Sequence, residues 1–262
     1  MNRVYRRALI SIAVLMVCSL MWLPTVYGLA LDAPYVRIDS EDIHEETEAF
    51  IVDVTIPVLV GLPTADIEEL VNSAIEKEAM DFTESIRDLA DSAERMVREG
   101  EIDSFFAHEA SISYVVRFAN RELISLTLLY YAYTGGAHGI YFQICYTIDL
   151  HTGDFLYIDD VFIEDSGYED ALILEINRQI EEDIERYFDS AVPIEEIYDD
   201  QPFYIAEAGC FEREDAGGPC LVIYYGLYEI TPYAAGIQEF AIPLRSMVDY
   251  VNPEFAAMVR LD

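Results

Sequence analysis

Basic residues are what this sequence most lacks. It has one lysine, Lys77, and 15 Lys+Arg in all against 50 Asp+Glu, a formal charge of −35. A chain this acidic repels phosphate backbones and anionic lipid surfaces, which sets nucleic acid and membrane surfaces aside and leaves cationic partners as those its field attracts. Adaptation to a saline or acidic habitat, or solubility alone, would produce the same composition. Histidine is limited to His44, His108, His138 and His151, and cysteine to Cys18, Cys145, Cys210 and Cys220. There is no CxxC and no Cys/His spacing of a zinc site. The P-loop, GxGxxG, GxSxG, HExxH and DxDxDG-type calcium signatures are missing as well. No cofactor and no metal are expected.

Apolar residues are abundant. They make up 53% of the chain, and 19 Tyr and 13 Phe dominate the aromatics. That supplies a packed core and excludes global disorder. At the N-terminus, Arg3, Arg6 and Arg7 precede an apolar stretch from Ala8 to Leu23 that ends at Pro24, and Gly28 and Ala30 are small residues suited to cleavage. Residues 1–30 are expected to be a signal peptide or an uncleaved signal anchor. Residues 31–262 are expected to be a single extracytoplasmic domain, with 45–135 and 136–250 as its subdomains. The chain is then secreted, or anchored to the membrane through the N-terminal segment alone. Val17 before Cys18 does not suit a lipobox. Without the three arginines the balance is 12 against 50, or −38.

Export permits disulfides. Cys210 and Cys220 bracket the polar, turn-rich insert FEREDAGGP between two strand-like runs. A bridge there would close a short loop, stabilise by about 2–3 kcal/mol and leave Cys145 over.

Along the chain, residues 31 to 47 are polar and acidic and read as an extended lead-in. IVDVTIPVL alternates at strand period, with Pro57 pointing to a sheet edge. Thr64 opens a long helical pattern through Ile67, Leu70, Val71, Ala74, Ile75, Phe82, Ile86, Leu89, Ala93 and Val97, and Gly100 stops it. Three strand-like runs follow as an antiparallel meander, joined by Asn120-Arg121 and by TGGAHG. The first places Ile112, Tyr114, Val116 and Phe118 on one face, and the third Ile140, Phe142, Ile144, Tyr146 and Ile148. Ser166 and Glu169 form a capping box for a second helix, with Ile173, Ile176, Ile180, Ile184 and Tyr187 on one stripe. PFYIA, CLVIYYG and QEFAIP are short strands. The order predicts an α+β fold in which antiparallel sheet packs against two main helices.

The stretch YAYTGGAHGI concentrates the candidate chemistry in Gly135, Gly136, His138 and Gly139. Ile140 and a strand follow it, where phosphate binding would need Lys-Ser/Thr and a helix. His151 lies roughly 40 Å from His138 along a straight strand, too far to share a site. His138 is therefore expected to tie its loop to the EITPYAAG loop or its neighbours. In that second loop Tyr228, Glu229, Pro232, Tyr233 and Gly236 combine contact-prone aromatics with small residues, so both loops are candidate binding elements. The many acidic clusters, such as IDD at 158–160 and EEDIE at 181–185, read as solvated faces.

The paired TGGAHG and YEI-x-PYAAG motifs, in that order around a helix, resemble a domain of extracytoplasmic bacterial proteins over roughly residues 45 to 245. That domain occurs in RsiV-type anti-sigma factors, whose outer part senses lysozyme by binding it, and as the N-terminal portion of some peptidoglycan deacetylases. No sigma-binding part is expected before the apolar segment and no deacetylase domain is expected after residue 262, so neither activity is carried over. The insert between Cys210 and Cys220 is also longer than the family's usual one. The resemblance implies an outer domain that binds a cell-wall component such as peptidoglycan, or a basic wall-acting protein such as lysozyme. Two alternatives stand beside it: a hydrolase of wall glycans or peptides using scattered acids and His138, and a structural or solvating protein with no dedicated ligand.

Overall fold

The computed structural model describes residues 36–207 and 218–261. Strand β2 (Phe50–Val60) forms where alternation predicts one, with Phe50, Val52, Val54, Ile56 and Leu59 buried. The acidic lead-in is itself a strand, β1 (Arg37–Glu46), paired antiparallel with β2 along its length. Sequence patterning misses it because Ile38 and Ile43 are its only apolar residues and, five positions apart, they show no strand alternation. Exposed Glu41, Asp42 and Glu46 on this edge strand discourage pairing with another chain. Pro57 does not mark an edge, since β2 lies between β1 and β3. The β2–β3 ladder covers only Phe50–Val54, so at Pro57 one side of the strand has no neighbour and a missing N–H costs little.

Helix α1 (Ala65–Glu99) begins and ends as expected. Thr64 Oγ1 accepts the Ile67 amide at 3.2 Å, and Gly100 closes the helix with φ 77°. Its buried stripe is Val71, Ile75, Ala79, Thr83, Ile86 and Ala90. Leu70 and Leu89, expected on the stripe, are 62% and 50% exposed. Each stands about 100° around the helix from a stripe residue, at the flank of the contact. The helix carries the chain from β2 to a parallel partner, β3 (His108–Ala119), as a parallel pairing requires. β3, β4 (Leu123–Tyr133) and β5 (Ile140–Asp149) form the expected meander, giving the sheet order β1-β2-β3-β4-β5. Asn120 Oδ1 accepts the amides of Glu122 and Leu123 and sets the tight β3–β4 link. The single apolar face expected for β3 is broken by a register shift between Val116 and Phe118. Tyr114 packs on the α1 side, Val116 is exposed, and Phe118 reaches a second core. On β5 only the far end of the expected face is buried: Tyr146 and Ile148 are covered, while Ile140 and Phe142 are exposed.

A short helix α2 (Ile158–Val161) precedes α3 (Tyr168–Glu181). The expected capping box at α3 is absent. Gly167 occupies the cap position with φ 79°, which leaves Ser166 one residue early, and its buried hydroxyl has no hydrogen-bond partner. The buried stripe is Tyr168, Leu172, Ile176 and Ile180. Ile173 and Tyr187 pack partly against it, but Ile184 is exposed because the helix stops at Glu181. Strands β6 (Phe203–Ala206), β7 (Cys220–Tyr225) and β8 (Gln238–Pro243) make a second antiparallel sheet, and α4 (Pro253–Met258) follows with Asn252 as its cap. The result is α+β with two open sheets and two long helices, within one compact unit, Ala33–Asp262.

Two cores meet at β4. Ile124, Leu126, Leu128 and Tyr130 pack beneath α1, while Leu123 joins the core of α3, α4 and the second sheet. Between them Ser125 is fully buried, bonded to Thr147 Oγ1 at 2.8 Å and accepting the Ile205 amide at 2.9 Å. Ser125→Ala leaves that amide buried without its acceptor, a loss of about 1–3 kcal/mol. Urea unfolding should show a lower midpoint at unchanged slope; an unchanged midpoint would mean that the contact between the sheets carries no weight.

Burial also raises the tyrosine hydroxyls of Tyr130, Tyr204 and Tyr225 above the ordinary value of about 10. The folded state resists their ionisation and the unfolded state does not, so their contribution is complete below about pH 10 and falls as pH rises beyond it. Circular dichroism should show cooperative unfolding in step with the tyrosinate absorbance of this buried set. Tyrosinate formation by every tyrosine in a still-folded protein would contradict this.

Candidate functional site

The loop at 134–139 joins β4 to β5. Gly135 and Gly136 have φ 102° and 99°, a backbone region that side chains disfavour. The Tyr133 hydroxyl donates to the Gly136 carbonyl at 3.0 Å and holds the turn over the end of β4. Gly139 serves close approach instead. A Cβ there would stand 2.5 Å from the ring of Tyr131.

The second loop leaves β7 at Tyr225. Glu229 folds back so that its carboxylate accepts the Gly226 amide at 2.9 Å. Tyr228 takes φ 66°, uncommon for a bulky residue, and is 53% exposed. Pro232 leads into a 3₁₀ turn, Tyr233–Ala235. Arg186 and Gln238 each donate to the Ala235 carbonyl at 2.8 Å, and Gly236 brings the backbone to the Tyr141 hydroxyl, 3.2 Å from where a Cβ would lie.

The two loops meet. The His138 ring stacks on Tyr233 with centroids 4.1 Å apart and planes at 25°. The Tyr233 hydroxyl donates to the Gly139 carbonyl at 2.8 Å, and the same oxygen accepts from His138 Nδ1 at 2.8 Å. The rings of Tyr141 and Tyr228 lie 6.0 and 5.7 Å from Tyr233. Gly135, Gly136, His138 and Gly139 thus share one patch with Tyr228, Glu229, Pro232, Tyr233 and Gly236, and Gly136, His138, Tyr228, Glu229 and Pro232 form its exposed part. Tyr131 and Tyr141 also belong to it, paired across β4 and β5, and sequence reasoning missed both. Strand period places each on a known face, but only the register of the meander makes them neighbours.

The other candidates fall elsewhere. His151 lies at the opposite end of β5 and pairs with Glu122 at 2.6 Å. His108 is buried with Nδ1 3.1 Å from the Phe106 carbonyl. Cys220 is buried at the start of β7, and Cys210, its expected partner, lies outside the described residues, as does the expected signal segment at 1–30. Cys145 is part-buried on β5. Loss of solvent around its sulfur pushes the thiol up to about 12, so it is protonated and unreactive at neutral pH. Among the described residues, no group of three His, Cys, Asp or Glu is placed to hold a metal ion, and no helix is long and apolar enough to cross a membrane.

Two family models match separate parts of the chain: residues 43–141 match "Deacetylase PdaC", and residues 159–245 match "Protein of unknown function (DUF3298)". The first ends inside β5 just after the glycine loop, and the second spans the PYAAG loop. Among solved structures, a DUF3298 family member from Bacteroides fragilis is similar at TM-score 0.65 and 21% identity, over 86% of this chain and 98% of that one. A DUF3298 family protein from Pseudomonas aeruginosa is similar at 0.56 and 17%, over 86% and 97%. At these identities the likeness is one of fold. No curated protein matches the chain.

The patch depends on two close contacts. Gly139→Ala forces the Tyr131 ring to move and is expected to destabilise by about 1–3 kcal/mol. Tyr233→Phe removes one hydrogen bond and keeps the stack, a loss of about 1 kcal/mol. Thermal melts of both variants check the order; equal melting of Gly139→Ala and the parent would show that the ring moves aside freely.

Proposed function

We propose that this chain is an extracytoplasmic recognition domain whose patch of two joined loops binds a cell-wall component or a cationic wall-acting protein such as lysozyme. The observation that carries the reading is the junction itself. His138 and Tyr233, far apart in sequence, are stacked into one surface with Tyr228, Pro232 and Glu229 exposed beside them. Exposed tyrosine and proline on a braced backbone lose little entropy on contact, and such aromatics dominate binding energy at interfaces. Glu229 and the net charge of −35 suit a basic partner and steer it in. The sequence resemblance to RsiV-type outer domains supports a role at the cell envelope.

Titration calorimetry against a basic lysozyme, and separately against soluble wall fragments, tests the reading. Binding at low salt should weaken as salt rises. Tyr228→Ala and Tyr233→Ala should each weaken it by roughly tenfold or more, the range of a central aromatic contact. Absence of heat from both ligands at low salt would overturn it.

A further inference from the structure

A concave site that shares no residue with the loop patch lies on the α1 side of β5. A cleft of ≈ 450 Å³ opens among α1, β5, residues 155–157 and the segment entering β6. That volume lies within the usual range for small-molecule sites. One wall carries the carboxylate of Glu78, which accepts a hydrogen bond from the Tyr146 hydroxyl, so its position is set by a side chain of the sheet. Asp200 brings a second carboxylate, and the exposed Tyr157 ring and Phe155 add aromatic surface. Gln201, 5% exposed, also lines the cleft; its Nε2 donates to the Tyr224 carbonyl at 3.3 Å, and its buried Oε1 has no hydrogen-bond partner. Among the described residues, none that lines the cleft is basic.

These features select one kind of ligand. Lys77 stands next to Glu78 but is paired with Asp81, and with no basic residue in the cleft lining the two carboxylates repel anions and attract positive charge. The unpaired acceptor of Gln201, buried in the cleft wall, adds to the negative polarity of the carboxylates and offers nothing that suits an anion. Aromatic rings take a cation on their faces, and Leu156 and Pro202 provide apolar surface for an alkyl stem. A bare metal ion does not suit the site, because no group of three ligating side chains is gathered there among the described residues. We propose that this cleft binds an aliphatic ammonium, a primary amine on a short alkyl chain. The amine comes either from a free polyamine or from a lysine side chain of a peptide.

The test is calorimetry at low salt with two probes, cadaverine and a short peptide holding a single lysine, on the full chain and on variants. Glu78→Gln and Asp200→Asn should each weaken binding by roughly five- to tenfold. Asp200 is exposed, so its variant keeps the test valid even where Glu78→Gln disturbs Tyr146. Binding of cadaverine but not of the peptide assigns the site to free amines, and the reverse assigns it to a lysine side chain. Exposed Glu94 on α1 controls for the general acidity of the surface. Equal weakening by Glu94→Gln, or no weakening by either cleft variant, would overturn the proposal. Because the loop patch is read with other ligands and other variants, its failure and the failure of the cleft are separable.

Discussion

The hydroxyl of Ser125 holds the two sheets in their relation. It sits in β4, where six consecutive residues from Leu123 to Leu128 are buried, and it bonds at once to Thr147 on β5 and to the amide of Ile205 on β6. A small polar residue is what this position needs. The second sheet can approach closely, and the end of its edge strand finds an acceptor where water cannot reach. With β6 set down there, β7 lies beyond it, and the Tyr224 hydroxyl reaches the Gln143 carbonyl at 2.7 Å. The loop that leaves β7 then falls over the loop that enters β5. The stack of His138 on Tyr233 follows from how the sheets are joined.

That dependence accounts for how the residues of the glycine loop are engaged. Its glycines are used for turning and for close approach, and its histidine is engaged through Nδ1 by a main-chain carbonyl and through its face by a tyrosine. Such a junction is rigid and partly exposed. It is suited to presenting a fixed surface, and rigid aromatic surfaces are efficient in recognition because little freedom is lost when they are covered.

The acidity of the chain shapes everything outside the cores. Its few cations are used locally. Arg87 makes two bonds to Glu45 and lies over the Phe50 ring, fastening α1 to β1, and Arg178 spans Glu175 and Glu182 along α3. Exposed pairs like these add little stability each. Their larger effect is to occupy the positive charge, so that most carboxylates face solvent uncompensated and the molecule meets its surroundings as a strong anion. Both surfaces described above are bordered by acid, the feature that their two proposed cationic ligands share.

Local signals were legible without the structure. Thr64 and Gly100 delimit α1 because caps act within one helical turn. Alternation located β2 and the meander, and the TGGAHG and PYAAG motifs marked the two loops and their association. Signals that depend on neighbours were not. The edge strand β1 has no apolar face to betray it, the shift at Val116 needs its partner strand to be seen, and Gly167 takes the cap from Ser166 through a backbone turn that the capping pattern does not encode. Tyr131 and Tyr141 join the patch through register, and Glu78, Asp200 and Gln201 share a cleft only because α1 and the β6 entry pack on the same stretch of β5. The sequence by itself determined the two long helices, the strands other than β1, the acidic surface and the loop motifs, since these follow from periodicity, charge and short-range sterics. Only the tertiary structure decided which side chains face one another, because contacts between distant segments depend on how the sheets and helices are stacked, and no local pattern records that.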